Sequence, residues 1–335
     1  MTPLVDRVRS SGLTLRALSI SGFVAATLPA APESWRVHSC YRRTANIIGG
    51  RGVWVSLHPL GVPLHAYSII VDVGAGAASF LCATPGESVR ISKSLIEIGN
   101  CGVAIVLEGA DTWDAALGRT GYFSRSSAAA ALRELRVLAR ACPGQSLFLA
   151  RVLATRAVAL APGQDTDLRS LLGARIDDIL NDIVAAWQAQ STDRLAAALG
   201  PAIGLGFGLT PSGDDFVTGF VAAAHRFAGT DVLPGEGLID DLVAAMRPLI
   251  RSTTLPSYFM LKAALEGFYP EPLRGLVGSL ASRDPAKMRF CIDRLSDLGA
   301  TSGRDMLAGV LFWFKLALGR EECPALEEND EARIH

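Results

Sequence analysis

Two stretches of this chain repeat one polar pattern, and each delivers the backbone into an apolar helix. The first is Gly204-Leu205-Gly206-Phe207-Gly208-Leu209-Thr210-Pro211-Ser212-Gly213-Asp214-Asp215, followed by Phe216, Val217, Phe220, Val221 and Ala224. The second is Gly299-Ala300-Thr301-Ser302-Gly303-Arg304-Asp305, followed by Met306, Leu307, Ala308 and Gly309. Aligned, Thr, Ser, Gly and Asp fall in register, as do Gly219 and Gly309, and Pro211 alone lacks a counterpart. Glycines at alternate positions allow sharp turns and close approach of a ligand to the main chain, at an entropic cost that a plain connector avoids. Thr210 before Pro211 reads as an N-cap and first helical residue. A glycine loop feeding a helix N-terminus is an anion site in outline, because free N–H groups and the positive end of the helix dipole face it. Asp214 and Asp215 then serve either as dipole partners or as ligands of the Mg²⁺ type. The plain structural alternative is two capped helices packed through Gly219 and Gly309.

Between the two motifs lies Arg251-Ser252-Thr253-Thr254-Leu255-Pro256-Ser257-Tyr258. It reads either as an ordinary N-cap or as a ligand element, with Thr253, Thr254 and Ser257 offering hydroxyls and Arg251 a guanidinium suited to bidentate binding of phosphate or carboxylate.

The rest of the sequence bounds the protein's class. With 335 residues, half of them hydrophobic (50%) and 19% charged, the chain has material for a large core and two lobes. Lys plus Arg numbers 32 against 33 Asp plus Glu, so no field exists for gripping nucleic acid or an anionic membrane. Cys40, Cys82, Cys101, Cys142, Cys291 and Cys323 form no C-x-x-C pair, which fits reduced thiols in the cytoplasm, and the five histidines show no zinc spacing. Arg7, Arg9 and Arg16 before the run Ala17–Ala26 imitate a secretory signal, but serines and a glycine interrupt it and the alternation at Leu13 and Leu15 suits a strand. The apolar run Met306–Phe314 is far shorter than the roughly 20 residues a bilayer needs, so it reads as a buried helix.

Along the chain the hydrophobic period changes once. From about Leu13 to Glu108, short β-branched and aromatic runs bounded by Gly and Pro read as strands: Trp35–Tyr41, Val53–Leu57, Ala66–Val71 and Val103–Leu107, with Gly49-Gly50-Arg51-Gly52 as a tight connection. No helix-length pattern intervenes, which points to a mostly antiparallel or barrel-like sheet. Arg42, Arg43 and Asn46, at the end of a strand, read as a solvated edge. After Asp111 the pattern is helical: a helix capped by Ser124 and stopped by Pro143-Gly144, then Leu147–Leu160, Leu168–Gln190, Thr192–Leu199, Phe216–Phe227, Leu238–Ile250, Tyr258–Gly267, Pro272–Ala281, Pro285–Leu298 and Ser302–Leu318. The expectation is an α+β protein, with an N-terminal extension over 1–12, a β-rich domain over 13–110, a larger all-α domain over 111–320 and an acidic, frayed tail over 321–335.

The stretch Gly204–Gly219 resembles the signature G-x-G-x-G-L-T-P-S-G-D-D-F-x-x-G of a bacterial family of unknown function. That family also carries R-[TS]-T-x-x-S, resembled by Arg251–Ser257 with one extra residue. Its S-S-G-x-D-x-L-x-G is resembled by Thr301–Gly309, and its V-H-S-x-[FY]-x-R-x-x-N by Val37–Asn46. It includes the third subunit of oxamate carbamoyltransferase, which works with two other subunits in anaerobic allantoin catabolism and moves a carbamoyl group between oxamate and phosphate. The resemblance implies a cytoplasmic complex subunit acting on a small anion such as carbamoyl phosphate or oxamate, and it brings Asn46 among the candidate binding residues.

Taken together, these readings make Asp215 and Asp305 the candidates for orienting or deprotonating an amide, or for holding Mg²⁺, with Arg304 neutralising charge beside them. Gly204, Gly206, Gly208, Thr210, Ser212, Gly213, Asp214, Arg251, Thr253, Thr254, Ser257, Thr301, Ser302 and Gly303 would cradle the anion. Asp214 is the weaker catalytic candidate, since a helix start explains it. No cofactor is firmly specified, Mg²⁺ through Asp214 and Asp215 being the one the carboxylates suit. No Ser-His-Asp or Cys-His set is evident, so no covalent intermediate is expected. Two alternatives stay open: a non-catalytic ligand-binding or scaffold subunit, and a Mg²⁺-dependent phosphotransfer enzyme.

Overall fold

The computed structural model describes residues 12–50, 52–73, 83–99, 102–142, 144–154, 168–233, 235 and 237–319. The acidic tail, the N-terminal extension up to residue 11 and the second half of the Leu147–Leu160 helix lie outside them. The chain divides into two compact units, one ending at Ala115 and one starting at Ala116.

The first unit is a closed, mixed β-barrel. Its strands are β1 (Leu13–Ser21), β2 (Glu33–Tyr41), β3 (Thr44–Ile48), β4 (Trp54–Pro59), β5 (Ser68–Asp72), β6 (Ser88–Ile91), β7 (Leu95–Ile98), β8 (Val103–Val106) and β9 (Asp111–Trp113). They run in the order β5-β4-β3-β2-β6-β7-β8-β1, and the antiparallel pairing of β1 with β5 closes the ring. Two joints in it are parallel, β1 with β8 and β4 with β5. β1 is long enough to serve two neighbours on one side. Leu13–Arg16 pairs with β8, and Ser19–Ser21 pairs with β9, so the sheet continues past the change of period at Asp111. Closure explains why short strands suffice here: a ring leaves no edge row of unpaired amides. Alternation along β3 and β4 places Ala45, Ile47, Val55 and Leu57 on one face, all fully buried.

The signal-like segment is structural. It forms the end of β1 and a short helix α1 (Gly22–Thr27) that Ser21 caps by accepting from the Phe23 amide, with Val24 buried.

The second unit is helical. Its helices are α2 (Arg125–Ala141), α3 (Leu147–Leu153), α4 (Leu168–Gln188), α5 (Thr192–Leu199), α6 (Ser212–Phe227), α7 (Gly237–Met246), α8 (Leu255–Leu265), α9 (Glu271–Ser282), α10 (Pro285–Ser296) and α11 (Ser302–Leu318). Ser124, Ser146, Ser191 and Asp284 cap α2, α3, α5 and α10 by accepting from the amide three residues on. The two motif helices, α6 and α11, are apolar on nearly every side and therefore take the centre of the unit. Their crossing is set by glycine. A Cβ on Gly219 would stand well under 3.0 Å from the Met306 carbonyl, and one on Gly309 would do the same to the Phe216 carbonyl, so the backbones touch through the two equivalent glycines. Phe216, Phe220, Phe227, Trp313 and Phe314 fill the core around this crossing, with Phe148 stacked on Phe216 at a centroid distance of 4.6 Å. No described helix is long and apolar enough to cross a membrane.

Candidate functional site

Because α6 and α11 cross at equivalent glycines, their N-termini come together and the two polar motifs face each other. Thr210 is not the N-cap of α6. Pro211 holds that position, the helix starts at Ser212, and no side chain caps it. Thr301, at the start of α11, makes no capping bond either. The hydroxyls turn to the other copy instead. Thr210 Oγ1 and Ser302 Oγ are hydrogen-bonded at 3.0 Å. Ser302 and Thr210 support the Asp215 carboxylate, while Ser212, Thr301 and Ser146 support that of Asp305. Each aspartate thus receives a hydroxyl from its own motif and one from the other.

Both carboxyls are buried, with Asp305 wholly so and Asp215 at 4% exposure. Ser146 Oγ donates to Asp305 Oδ1 at 2.5 Å, whereas Asp305 Oδ2 and Asp215 Oδ2 are buried with no hydrogen-bond partner among the described residues. Burial pushes the Asp305 carboxyl from 3.8 up to about 6, the hydroxyls and the Arg304 charge holding it from going further. Asp215 is pushed well above the ordinary carboxylate range, by burial first and by the Asp305 and Asp214 charges in addition. Burial thus raises both carboxyls toward the protonated form, with the Asp305 and Asp214 charges adding to the push on Asp215, so that one can donate a proton where the other accepts it. A donor and an acceptor side by side are the equipment of general acid–base chemistry.

Asp214 does different work. Its Oδ1 accepts from the Gly204 amide at 2.8 Å, and its Oδ2 accepts from Ser257 Oγ at 2.6 Å and from Thr253 Oγ1. It pins the glycine loop to the Thr253–Ser257 segment. Thr254 caps α8 through the Ser257 amide and also donates to the Leu209 carbonyl at 2.5 Å. These three hydroxyls hold the loop in place, and Thr254 is a cap as well. Gly204 and Gly206 have φ of +80° and +119°, and a Cβ on either would strike the Ser252 carbonyl or the Ser212 amide. Only glycine lets the loop fold this tightly over the start of α6. The Gly213 amide donates to Leu205 O at 2.9 Å, so one N–H of the expected anion cradle is taken by the loop itself.

Of the remaining candidates, Gly208 lies in the same loop with φ of +99°, and Gly303 lets α11 approach the Leu295 carbonyl as Gly213 lets α6 approach Ala202. Arg304 lies against Gly144 and donates to the Ala300 carbonyl at 2.5 Å. Arg251 is exposed on a 3₁₀ turn (Leu249–Arg251). Arg42 and Arg43 are exposed on the turn between β2 and β3, but Asn46 in the barrel unit is not on an edge, since β3 is flanked by β2 and β4. Asn46 is buried, donating to Ser39 Oγ at 3.0 Å and accepting from Ser56 Oγ at 2.7 Å. Beside it in the barrel, His58 and His65 meet through their Nε2 atoms at 3.1 Å, with Thr44 on His58 Nδ1. Burial lowers His58 to about 4, and burial with the His58 charge holds His65 well below the ordinary 6.5. Sequence reasoning missed this pair and Ser146. The cap position after Pro143-Gly144 was a signal for Ser146, but nothing local told that its hydroxyl reaches Asp305.

Both Asp214 oxygens accept from protein donors, and among the described residues no group of three or more His, Cys, Asp or Glu is placed to hold a metal ion.

Fold and site define a two-unit α+β protein whose helical unit brings duplicated helix starts together around a pair of buried aspartates. Residues 202–314 match the model of the AllH family, described as oxamate carbamoyltransferase subunit AllH, so the helical unit is similar to that family over this stretch. The matched stretch runs from just before the glycine loop almost to the end of α11, and so contains both motifs. No solved structure matches the chain.

Proposed function

We propose that the helical unit carries the acid–base centre of an oxamate carbamoyltransferase-type enzyme, with Asp215 and Asp305 as its working pair. The observation behind this reading is the reciprocal pairing of the two motifs around two buried carboxyls that burial raises above the ordinary carboxylate range. In the direction from carbamoyl phosphate, the oxamate amide nitrogen attacks the carbamoyl carbon. The new N–C bond forms, the C–O bond to phosphate breaks, the amide proton passes to ionised Asp305, and phosphate leaves with the bonding pair. In the reverse direction the same proton returns to the departing amide. Asp215, in the protonated form that its burial favours, can donate to an oxygen on which charge develops. Thr210, Ser212, Thr301 and Ser302 position the pair, and Arg304 offsets charge at its edge. The setting that the AllH resemblance implies is a complex of several subunits in allantoin nitrogen catabolism.

A second reading rests on the surface beside the centre. Phe207 is 71% exposed and Leu209 47%, both on the glycine loop, and Leu255 follows the Thr254 tether. Apolar side chains on a loop clamped by Asp214 suit contact with another subunit. In that case the chain contributes the pair to a centre that a partner completes.

The test is turnover of carbamoyl phosphate and oxamate, followed as phosphate release, by the chain alone and with its partner subunits. Asp305→Asn and Asp215→Asn should each lower kcat about 10²- to 10⁴-fold, with KM much less affected. Full turnover in either variant removes the acid–base reading. Phe207→Ser with Leu209→Ser should abolish co-purification with the partners if they complete the centre. Turnover unaffected by a chelator would exclude the Mg²⁺-dependent alternative.

A further inference from the structure

The hydroxyls around the two aspartates come from the motifs themselves, with one exception. Ser146 stands at the start of α3, in a stretch that belongs to neither motif and lies outside the matched residues 202–314. It is 159 residues from Asp305 in sequence, yet its Oγ donates to Asp305 Oδ1 at 2.5 Å. Ser146 is itself buried, so the bond is made away from bulk water, where a polar contact is strongest.

The direction of that bond follows from what else Ser146 does. A serine hydroxyl has one hydrogen to give and lone pairs to accept with. The Leu149 amide donates to Ser146 Oγ at 3.0 Å, which caps α3 and holds the oxygen over the first turn. The hydroxyl hydrogen is then left for Asp305. The helix that carries this cap is anchored on both motif helices. Phe148 stacks on Phe216, the residue after Asp215, at a centroid distance of 4.6 Å, and Lys315 of α11 donates to the Val152 carbonyl. Arg151 pairs with Asp177 of α4 at 2.9 Å. One short helix therefore touches a neighbour of Asp215 and delivers a hydroxyl to Asp305 from a fixed position.

We propose that Ser146 is a positioning residue of the paired-aspartate centre, holding the Asp305 carboxylate in the orientation in which it accepts a proton. This rests on the acid–base reading of Asp215 and Asp305, and it adds a residue that acts through Asp305 and not on substrate. A donor fixed on Oδ1 sets the plane of the carboxylate, while Oδ2 keeps no hydrogen-bond partner among the described residues. A hydrogen bond to an ionised acceptor also favours the ionised form, which is the form that takes a proton.

The test is turnover of carbamoyl phosphate and oxamate by the chain with its partner subunits, for wild type, Ser146→Gly, Ser146→Thr, Asp305→Asn and Ser146→Gly combined with Asp305→Asn. Glycine caps a helix nearly as well as serine, so Ser146→Gly removes the donor and leaves α3 in place, while threonine can make both bonds. Ser146→Gly should lower kcat about tenfold or more with KM changed less than about twofold, and Ser146→Thr should keep most of the wild-type rate. Once Asp305→Asn is present, Ser146→Gly should have no further effect on kcat. Full turnover in Asp305→Asn removes the acid–base reading and this role with it. If Asp305→Asn is slow, the role of Ser146 alone is overturned by wild-type kcat in Ser146→Gly, by an equal fold-loss from Ser146→Gly in both backgrounds, or by a Ser146→Thr no faster than Ser146→Gly. Thermal unfolding of the same chains reads the contact without substrate. The Tm loss from Ser146→Gly should be smaller in the Asp305→Asn background, and equal losses in the two backgrounds overturn the proposal even where no turnover is seen.

Discussion

Replacing Asp305 by Asn should make the protein more stable at neutral pH while disabling it. In the folded state this carboxyl titrates at about 6 against an ordinary value of 3.8, the shift coming mainly from burial. A carboxylate with a raised folded value binds more protons in the native than in the unfolded state between those two values, so stability falls as pH climbs through that window and is level above it. The difference corresponds to a penalty of about 3 kcal/mol at about pH 7.5, shrinking to about 0.5 kcal/mol at about pH 4. Asparagine is nearly isosteric, still accepts from Ser146 through Oδ1, and carries no charge to desolvate. The variant should therefore gain on the order of 2–3 kcal/mol at about pH 7.5, roughly 4–10 °C in Tm for a unit of this size, and almost nothing at about pH 4. Thermal unfolding followed by far-ultraviolet circular dichroism, which reports the helical unit, measures both. An equal gain at both pH values, or a loss at the higher one, would refute the assignment of the shift to burial of the charged form. So would a pH-independent difference between wild type and variant.

Three other perturbations test the rest of the architecture. Gly309→Ala should destabilise the helical unit by about 3 kcal/mol or more, because the new methyl meets the backbone of α6, which cannot rotate away as a side chain can; urea unfolding reads this, and an unchanged midpoint would mean the helices do not touch there. Ser257→Ala should cost about 1–3 kcal/mol by stripping a donor from buried Asp214, and the loss should vanish in an Asp214→Asn background if that bond is its origin; a double-mutant cycle decides. In the barrel, His58 is held neutral down to about pH 4, so it stabilises the fold above its unfolded value of 6.5 and that contribution is lost as pH falls toward 4; His58→Gln should flatten the acid limb of barrel unfolding, and a limb as steep as wild type would assign the proton uptake elsewhere.

What the sequence determined by itself was the local grammar. The shift from β-branched alternation to helical periodicity near Asp111 was enough to give a barrel-like sheet followed by helices, since side-chain period is a property of the backbone element and not of its neighbours. Thr192–Leu199 and Ser302–Leu318 were legible to the residue, Ser191 capping the start of the first and Gly319, with a φ of +73°, ending the second. The repetition of Thr, Ser, Gly, Asp and Gly was also visible, and with it the two aspartates. What those residues do was decided by tertiary structure. The crossing at Gly219 and Gly309 points the hydroxyls across the interface, so Thr210 bonds Ser302 where local rules made it a cap. Asp214 and Asp215 are neighbours of one type in sequence, yet one is saturated by Gly204, Thr253 and Ser257, while the other is buried with one oxygen unmet among the described residues and is pushed upward by the Asp305 charge. Pairing of β3 on both sides, with β2 and β4, likewise turned Asn46 from an edge residue into a buried one. Propensity and capping depend on a few adjacent residues, whereas burial, charge coupling and the partner of a hydroxyl depend on segments as distant as Ser146 and Asp305, which only the packed core brings within 2.5 Å.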